Sequence, residues 1–81
     1  APDDHLLAAD LIRSLAERGG PNFIERAARI WQYSFAASGD AAGATLRDLV
    51  LGAANAAAPG NAVFLDRITA LLTPSDSTVR R

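Results

Sequence analysis

Cysteine is absent from this chain of 81 residues. The protein therefore forms no disulfide and offers no thiolate ligand, which excludes a disulfide-stabilised fold and a thiolate metal site. A domain of this size buries only about 60% of the surface that its unfolded chain exposes, so its margin of stability is small. We expect that stability to come from helix packing or from association with a partner.

Lysine is absent as well: all eight basic residues are arginine, and eighteen residues are alanine. We interpret this pairing as the codon usage of a GC-rich, bacterial genome. The alternative is that arginine serves for bidentate contacts with carboxylates or phosphates. The formal net charge is −1, so the chain lacks the general basic excess that is typical of nucleic-acid binders.

Long apolar runs are also missing. The longest uncharged stretch, residues 49–65, is interrupted by Asn55, Pro59, Gly60 and Asn61, so we expect no membrane span. The chain begins APDDHLL, without methionine, which indicates either a piece of a longer chain or a mature end left by a signal peptidase. We expect a cytoplasmic protein, with secretion as the alternative.

Glycine and proline divide the chain at RGGP, SGD, APGN and TPSD, and between these points the apolar residues recur every three to four positions. This pattern predicts an all-α fold, and the short links favour a compact four-helix bundle with antiparallel neighbours. Residues 1–74 form the predicted single domain, and residues 75–81 a tail that is disordered or ordered by a partner. The predicted helices span residues 4–18, 22–37, 41–57 and 61–72.

The apolar side of each predicted helix identifies a candidate core. Trp31 and Phe35 lie on that side of the second helix and are expected to hold it against the first and fourth helices. Tyr33 points away from it. The expected core residues are Ala8, Leu11, Ile12 and Leu15; Phe23, Ile24, Ala27, Ile30, Trp31 and Phe35; Leu46, Leu49, Val50, Ala53 and Ala57; and Phe64, Leu65, Ile68, Leu71 and Leu72.

Several residues have the chemistry that begins or ends a helix. Gly19 is expected to end the first helix in a left-handed turn. Asn22 with Glu25 three positions later is a capping-box pattern. The other expected N-caps are Asp3 or Asp4, Asp40 and Asn61.

Catalytic groups are few. The only histidine is His5, and we expect it to be solvated near the start of the chain, with neither Asp10 nor Ser14 placed beside it. Residues 3–5 (Asp, Asp and His) are all possible metal ligands, but adjacent side chains at the start of a helix point in different directions. They therefore predict no metal site. RGGP lacks the lysine of a phosphate-binding loop. We therefore predict that the chain is not an enzyme and binds no cofactor.

The acidic residues are expected on solvated outer sides of helices, where arginines at helical spacing pair with them. The expected pairs are Asp10 with Arg13, Arg13 with Glu17, and Glu25 with Arg29. The acidic residues in question are Asp10, Glu17, Glu25, Asp48 and Asp66.

Nucleic-acid binding is not expected, although a small DNA-binding regulator remains an alternative. The third and fourth helices offer only Arg47 and Arg67 to a phosphate backbone, where binders neutralise several charges. The cluster formed by Arg18, Arg26 and Arg29 is offset by neighbouring glutamates.

Apolar residues outside the expected core are the remaining signal: Leu6, Tyr33, Leu51 and Val63. They predict a helical module that binds a protein partner or forms a homo-oligomer. An amphipathic protein that binds a lipid or polymer surface is the second alternative. The candidate partner-binding residues are Tyr33, Arg26, Arg29, Leu51 and Val63.

Overall fold

The computed structural model describes the backbone of residues 2–39 and 41–73 and the side chains of residues 5–39 and 41–73. This part of the chain contains four α-helices and no strand, so the prediction of an all-α fold is confirmed. The predicted tail, residues 75–81, and the expected cap Asp40 lie outside the described residues. The helices are α1 (Pro2–Arg18), α2 (Pro21–Phe35), α3 (Ala41–Ala57) and α4 (Ala62–Leu71).

Glycine in the left-handed region allows the tight links between helices. Gly19 has a φ of 76°, and its N–H donates to the carbonyl of Ala16 at 3.1 Å, so it ends α1 as predicted. Gly60 has a φ of 77° in the link between α3 and α4. A residue with a Cβ would be strained at either position.

The N-terminus of α2 differs from the prediction. Its cap is Gly20, with extended backbone and no side-chain cap bond, and Pro21 occupies the first turn. Proline suits this position because the N–H that it lacks would have no helical partner. Asn22 therefore lies inside the helix, and the expected capping box is wrong. In α1, the helix already begins at Pro2, so neither Asp3 nor Asp4 is the cap.

The N-terminus of α4 is capped as predicted. The Oδ1 of Asn61 accepts a hydrogen bond of 3.1 Å from the main-chain N–H of Phe64. This bond satisfies one of the N–H groups that have no carbonyl partner in the first turn of a helix.

The core contains smaller residues than predicted. Leu11 is 53% exposed, Leu49 40% and Phe23 36%, so their assignment to the core is wrong. Alanine and glycine are buried instead, because helices that pack closely exclude bulky side chains from the line of contact. Ile30, Ala53, Ala57, Phe64, Leu65 and Leu71 are half-buried. The buried residues are Ala8, Ile12, Leu15, Ala16, Ile24, Ala27, Ala28, Trp31, Phe35, Ala36, Gly43, Leu46, Val50, Ala54, Ile68 and Leu72.

Helix α2 contacts all three other helices, and α3 contacts both α1 and α4. Trp31 is 3% exposed, as predicted, and its indole N–H donates a hydrogen bond to Gly43 on α3, a contact that the sequence does not predict. Phe35 contacts the ring of His5 on α1, with 4.8 Å between ring centroids. These contacts are compatible with antiparallel neighbours. The radius of gyration, 12.2 Å, matches the value of about 12 Å expected for a compact domain of this length.

Candidate functional site

Tyr33 is the most exposed large side chain with apolar character in the described part of the chain, at 93% of its full accessibility. It lies on α2, whose opposite side is buried through Ile24, Ala27 and Trp31. Its position outside the core agrees with the prediction. An exposed tyrosine joins a large apolar ring to a hydroxyl that forms hydrogen bonds, which makes it a candidate anchor for a partner.

Two arginines share the outer side of α2 with Tyr33, because Arg26 is seven residues and Arg29 four residues before it. Both are exposed. Among the residues that the structure describes, no carboxylate lies within ion-pair distance of Arg26. We call Arg26, Arg29 and Tyr33 the α2 face.

Glu25 lies beside the α2 face and contacts two arginines. Its Oε2 accepts hydrogen bonds from the Nη2 of Arg29 at 2.8 Å and from the Nε at 3.2 Å. Its Oε1 lies 3.5 Å from the Nε of Arg67 on α4. The predicted pair with Arg29 is confirmed, but the side chain of Glu25 is only 26% exposed, which corrects its expected place on a solvated side.

The hydrogen bond from Arg29 lowers the pKa of Glu25 below its ordinary value of 4.5, and the charges of Arg67 and Arg29 act in the same direction against partial desolvation. On and beside the α2 face, Arg26, Arg29 and Arg67 therefore outnumber the one carboxylate, Glu25, which pairs with Arg29 and Arg67. The α2 face has a local excess of positive charge, although the whole chain is slightly acidic.

The other two candidate partner-binding residues lie on different helices. Leu51, on α3, is half-buried and packs against the core, which corrects its expected exposure. Val63, in the first turn of α4, is 79% exposed. Arg67 joins the charged cluster without having been predicted there. No sequence signal connects it with Glu25, since their contact depends on how α4 packs against α2.

A shallow groove runs between α1 and α3. We call it the α1–α3 groove. Both of its charged residues, Glu17 and Asp48, are acidic, and Leu49 contributes exposed apolar surface. A Cβ added at Gly52 would meet no atom within 4 Å, so the groove is open there. The residues that line it are Ala16, Glu17, Asp48, Leu49, Gly52 and Ala53.

The outer side of α1 exposes aliphatic residues as well. Leu7 is 64% exposed and Leu11 53%, and the two lie one turn apart. At the end of the same helix the guanidinium carbon of Arg18 lies 5.0 Å from the centroid of the Phe23 ring, a cation–π contact. We call Leu7, Leu11, Arg18 and Phe23 the α1 side.

His5 is not the solvated histidine that was expected. It is half-buried, since its ring packs against Phe35. Its neighbours in an adjoining shallow groove include Asp10 and Arg13, which form the predicted ion pair at 3.7 Å. Glu17, the other expected partner of Arg13, is not within ion-pair distance of it. The ring thus has a packing contact that explains its position.

Neither a metal centre nor a helix that could cross a membrane is found where the structure describes the side chains, in residues 5–39 and 41–73. This part holds no group of three or more histidine, aspartate or glutamate side chains arranged to bind a metal ion. None of its helices combines the length and the apolar character that crossing a membrane requires. Comparison of the chain with protein-family models, with curated proteins and with solved structures finds no match.

Proposed function

We propose that this chain is a non-enzymatic helical module that binds a protein partner, or further copies of itself, through the α2 face. The observation that carries the proposal is the 93% exposure of Tyr33 beside Arg26 and Arg29. Tyrosine and arginine are the residue types that most often supply binding energy at protein interfaces. A partner that covers Tyr33 would remove its ring from water and satisfy its hydroxyl.

The charge around the α2 face indicates what kind of surface it would bind. Glu25 is shared between Arg29 and Arg67, which leaves Arg26 as a further positive charge next to Tyr33. Opposite charges steer two proteins together and favour the correct orientation. We therefore propose an acidic partner surface with an apolar centre that accepts the tyrosine ring.

We also propose that neighbouring helices of this module run antiparallel. The ring contact between His5, near the start of α1, and Phe35, at the end of α2, supports this arrangement. The link between α1 and α2 has only two residues, 19–20, and links this short favour antiparallel neighbouring helices. A rigid support of this kind would hold the α2 face in one shape before binding.

The test is the substitution Tyr33→Ala, with Gln32→Ala as the matched control. Gln32 is the neighbouring exposed residue on the same helix, so its substitution removes a side chain without touching the α2 face. We expect both variants to keep the helical circular-dichroism spectrum. Tyr33→Ala should weaken association by about 1–2 kcal/mol, roughly 5- to 30-fold, in analytical ultracentrifugation. Equal association of parent and Tyr33→Ala would rule out the α2 face.

The α1 side favours a second candidate function, attachment to a lipid surface. Leu7 and Leu11 are exposed on one side of α1, with Arg18 at its end. Aliphatic residues next to a basic one are typical of helices that lie in a membrane interface. Flotation with anionic vesicles tests this candidate. Binding that Leu7→Ser and Leu11→Ser abolish, while Tyr33→Ala leaves it intact, would favour it over the α2 face.

A further inference from the structure

The α1–α3 groove has the chemistry that the α2 face requires of a partner. Its charged residues, Glu17 and Asp48, are both acidic, whereas the charge excess around Tyr33 is basic. Its apolar surface includes Leu49, which is 40% exposed, beside Ala53. One chain therefore carries both halves of a complementary pair of surfaces.

The two surfaces lie on different sides of the molecule. Helices α1 and α3 both pack against the buried side of α2, through contacts such as His5 with Phe35 and Trp31 with Gly43. Tyr33 projects from the other side of α2. A chain consequently cannot place its own Tyr33 in its own groove, and only a second molecule can join the two surfaces.

The spacing of the residues also matches. Arg29 lies one helical turn, about 6 Å, before Tyr33, and Asp48 lies one turn before Gly52. If α2 of one copy runs parallel to α3 of the other, a tyrosine ring placed over Gly52 brings Arg29 next to Asp48. Arg29 uses its Nε and Nη2 for Glu25, and its remaining N–H groups are able to donate to a second carboxylate.

The contacts within a single chain do not explain why position 52 is a glycine. It lies inside α3 with helical backbone, where glycine is less favourable than alanine. No neighbouring atom would obstruct a Cβ there. The close approach of a ring from another molecule gives a reason for glycine at this position, because a side chain would hold the ring away.

We infer that the α2 face of one copy of this chain docks in the α1–α3 groove of a second copy. Tyr33 covers Gly52 and Leu49, and Arg29 pairs with Asp48. The inference rests on the proposed function of the α2 face and names its partner. Because the two surfaces differ, each added copy leaves one groove and one α2 face open, so the assembly is head-to-tail and extends to a chain or closes to a ring.

The test combines two variants, each with one damaged surface. Tyr33→Ala removes the inserted ring and keeps the groove. Gly52→Arg places a bulky cation in the groove, and its Cβ would meet no atom of the chain within 4 Å. The control Ala70→Arg adds the same charge at an exposed position on α4, outside the groove. Circular dichroism checks that each variant is folded, and sedimentation velocity measures its size.

We expect the parent and Ala70→Arg to form dimers and larger species with rising concentration, and each damaged variant to associate at least tenfold more weakly. An equimolar mixture of Tyr33→Ala and Gly52→Arg should form heterodimers and nothing larger, since together they retain one intact Tyr33 and one intact groove. Added salt should weaken parent association, because opposite charges meet at the interface.

The contrary outcomes separate this inference from the proposed function. A parent that stays monomeric overturns the head-to-tail contact and leaves a foreign protein as the partner of the α2 face. A Gly52→Arg variant that associates like the parent also overturns it, and the copies then meet without the groove, for example through their α2 faces. A mixture that stays monomeric when both variants are monomeric also overturns it, because the intact Tyr33 and the intact groove then fail to bind each other. Parent-like association of Tyr33→Ala overturns both proposals.

Discussion

The indole Nε1 of Trp31 donates a hydrogen bond of 2.7 Å to the main-chain carbonyl oxygen of Gly43. Trp31 is 3% exposed, so the bond lies in the core and is shielded from water. It joins α2 to the first turn of α3. The tryptophan therefore has two roles: its rings are buried in the core, and its N–H links α2 to the first turn of α3.

Two substitutions separate these contributions. Trp31→Ala should lower the free energy of unfolding by about 3–5 kcal/mol through lost packing and the cavity that remains, which is close to the whole stability of a small domain. Trp31→Phe keeps most of the apolar volume and removes the donor, so we expect a loss of about 1–3 kcal/mol. Urea unfolding followed by circular dichroism measures both. A Trp31→Phe variant as stable as the parent would show that the bond adds no net stability.

Asn61→Ala should destabilise the protein by about 1 kcal/mol, because the first turn of α4 loses its cap at Phe64. For a domain of this size, that loss lowers the Tm by about 4–8 °C. The control is Asn55→Ala on the exposed side of α3, where the same chemical change should be neutral or slightly stabilising because alanine favours a helix. Equal Tm changes at the two positions would contradict the capping role.

Glu25 should make stability depend on pH in the acidic range. Its pKa in the folded protein is below 4.5, chiefly because Arg29 donates hydrogen bonds to its carboxylate. A lowered pKa contributes stability that is complete above the unfolded value and is lost as the pH falls through the folded value. Thermal unfolding from pH 6 downward should thus show a smaller pH dependence for Glu25→Gln than for the parent. An unchanged dependence would mean that other carboxylates account for it.

Two adjacent residues on α1 should differ sharply when shortened. Ile12 is completely buried, so Ile12→Ala should cost about 2–5 kcal/mol. Leu11 is 53% exposed, and Leu11→Ala should cost less than about 1 kcal/mol. Chemical unfolding of the two variants gives the comparison. The reverse order would mean that α1 is rotated about its axis and that Leu11 belongs to the core.

Gly52 and Gly60 should respond in opposite ways to alanine. Gly52 has helical backbone and open space around it, so Gly52→Ala should stabilise the monomer by about 1 kcal/mol. Gly60 has a φ of 77°, and Gly60→Ala should destabilise the protein because alanine is strained there. Dilute samples keep association out of the measured Tm. Destabilisation by Gly52→Ala would point to a neighbour within the chain.

The sequence predicts the elements of this fold better than their orientation. The link at Gly19, the cap at Asn61 and the burial of Trp31 all follow from local chemistry or from strong periodicity, and the structure confirms each. The predicted capping box at Asn22 is wrong because asparagine and proline both suit the beginning of a helix. Proline at the first position and an extended Gly20 before it determine the outcome.

The misplaced core residues have one physical cause. A helical wheel favours large apolar residues for the core, and so it selected Leu11 and Leu49 over Ala16 and Ala54. Closely packed helices bury small residues along their line of contact and leave the larger ones at its margins. The α1–α3 groove was missed for the same reason, since Leu49 was assigned to the interior. The contact of Glu25 with Arg67 needs the packing of α2 and α4, which no local pattern encodes.

Trp31 and Tyr33 give the protein two optical reporters that need no label. They are the only tryptophan and the only tyrosine in the chain, and they project from opposite sides of one helix. The fluorescence emission of Trp31 changes when water enters the core. The derivative absorbance of Tyr33 changes when a partner excludes water from its ring. In a single titration, signals that move together indicate unfolding, and a phenol signal that moves alone indicates docking.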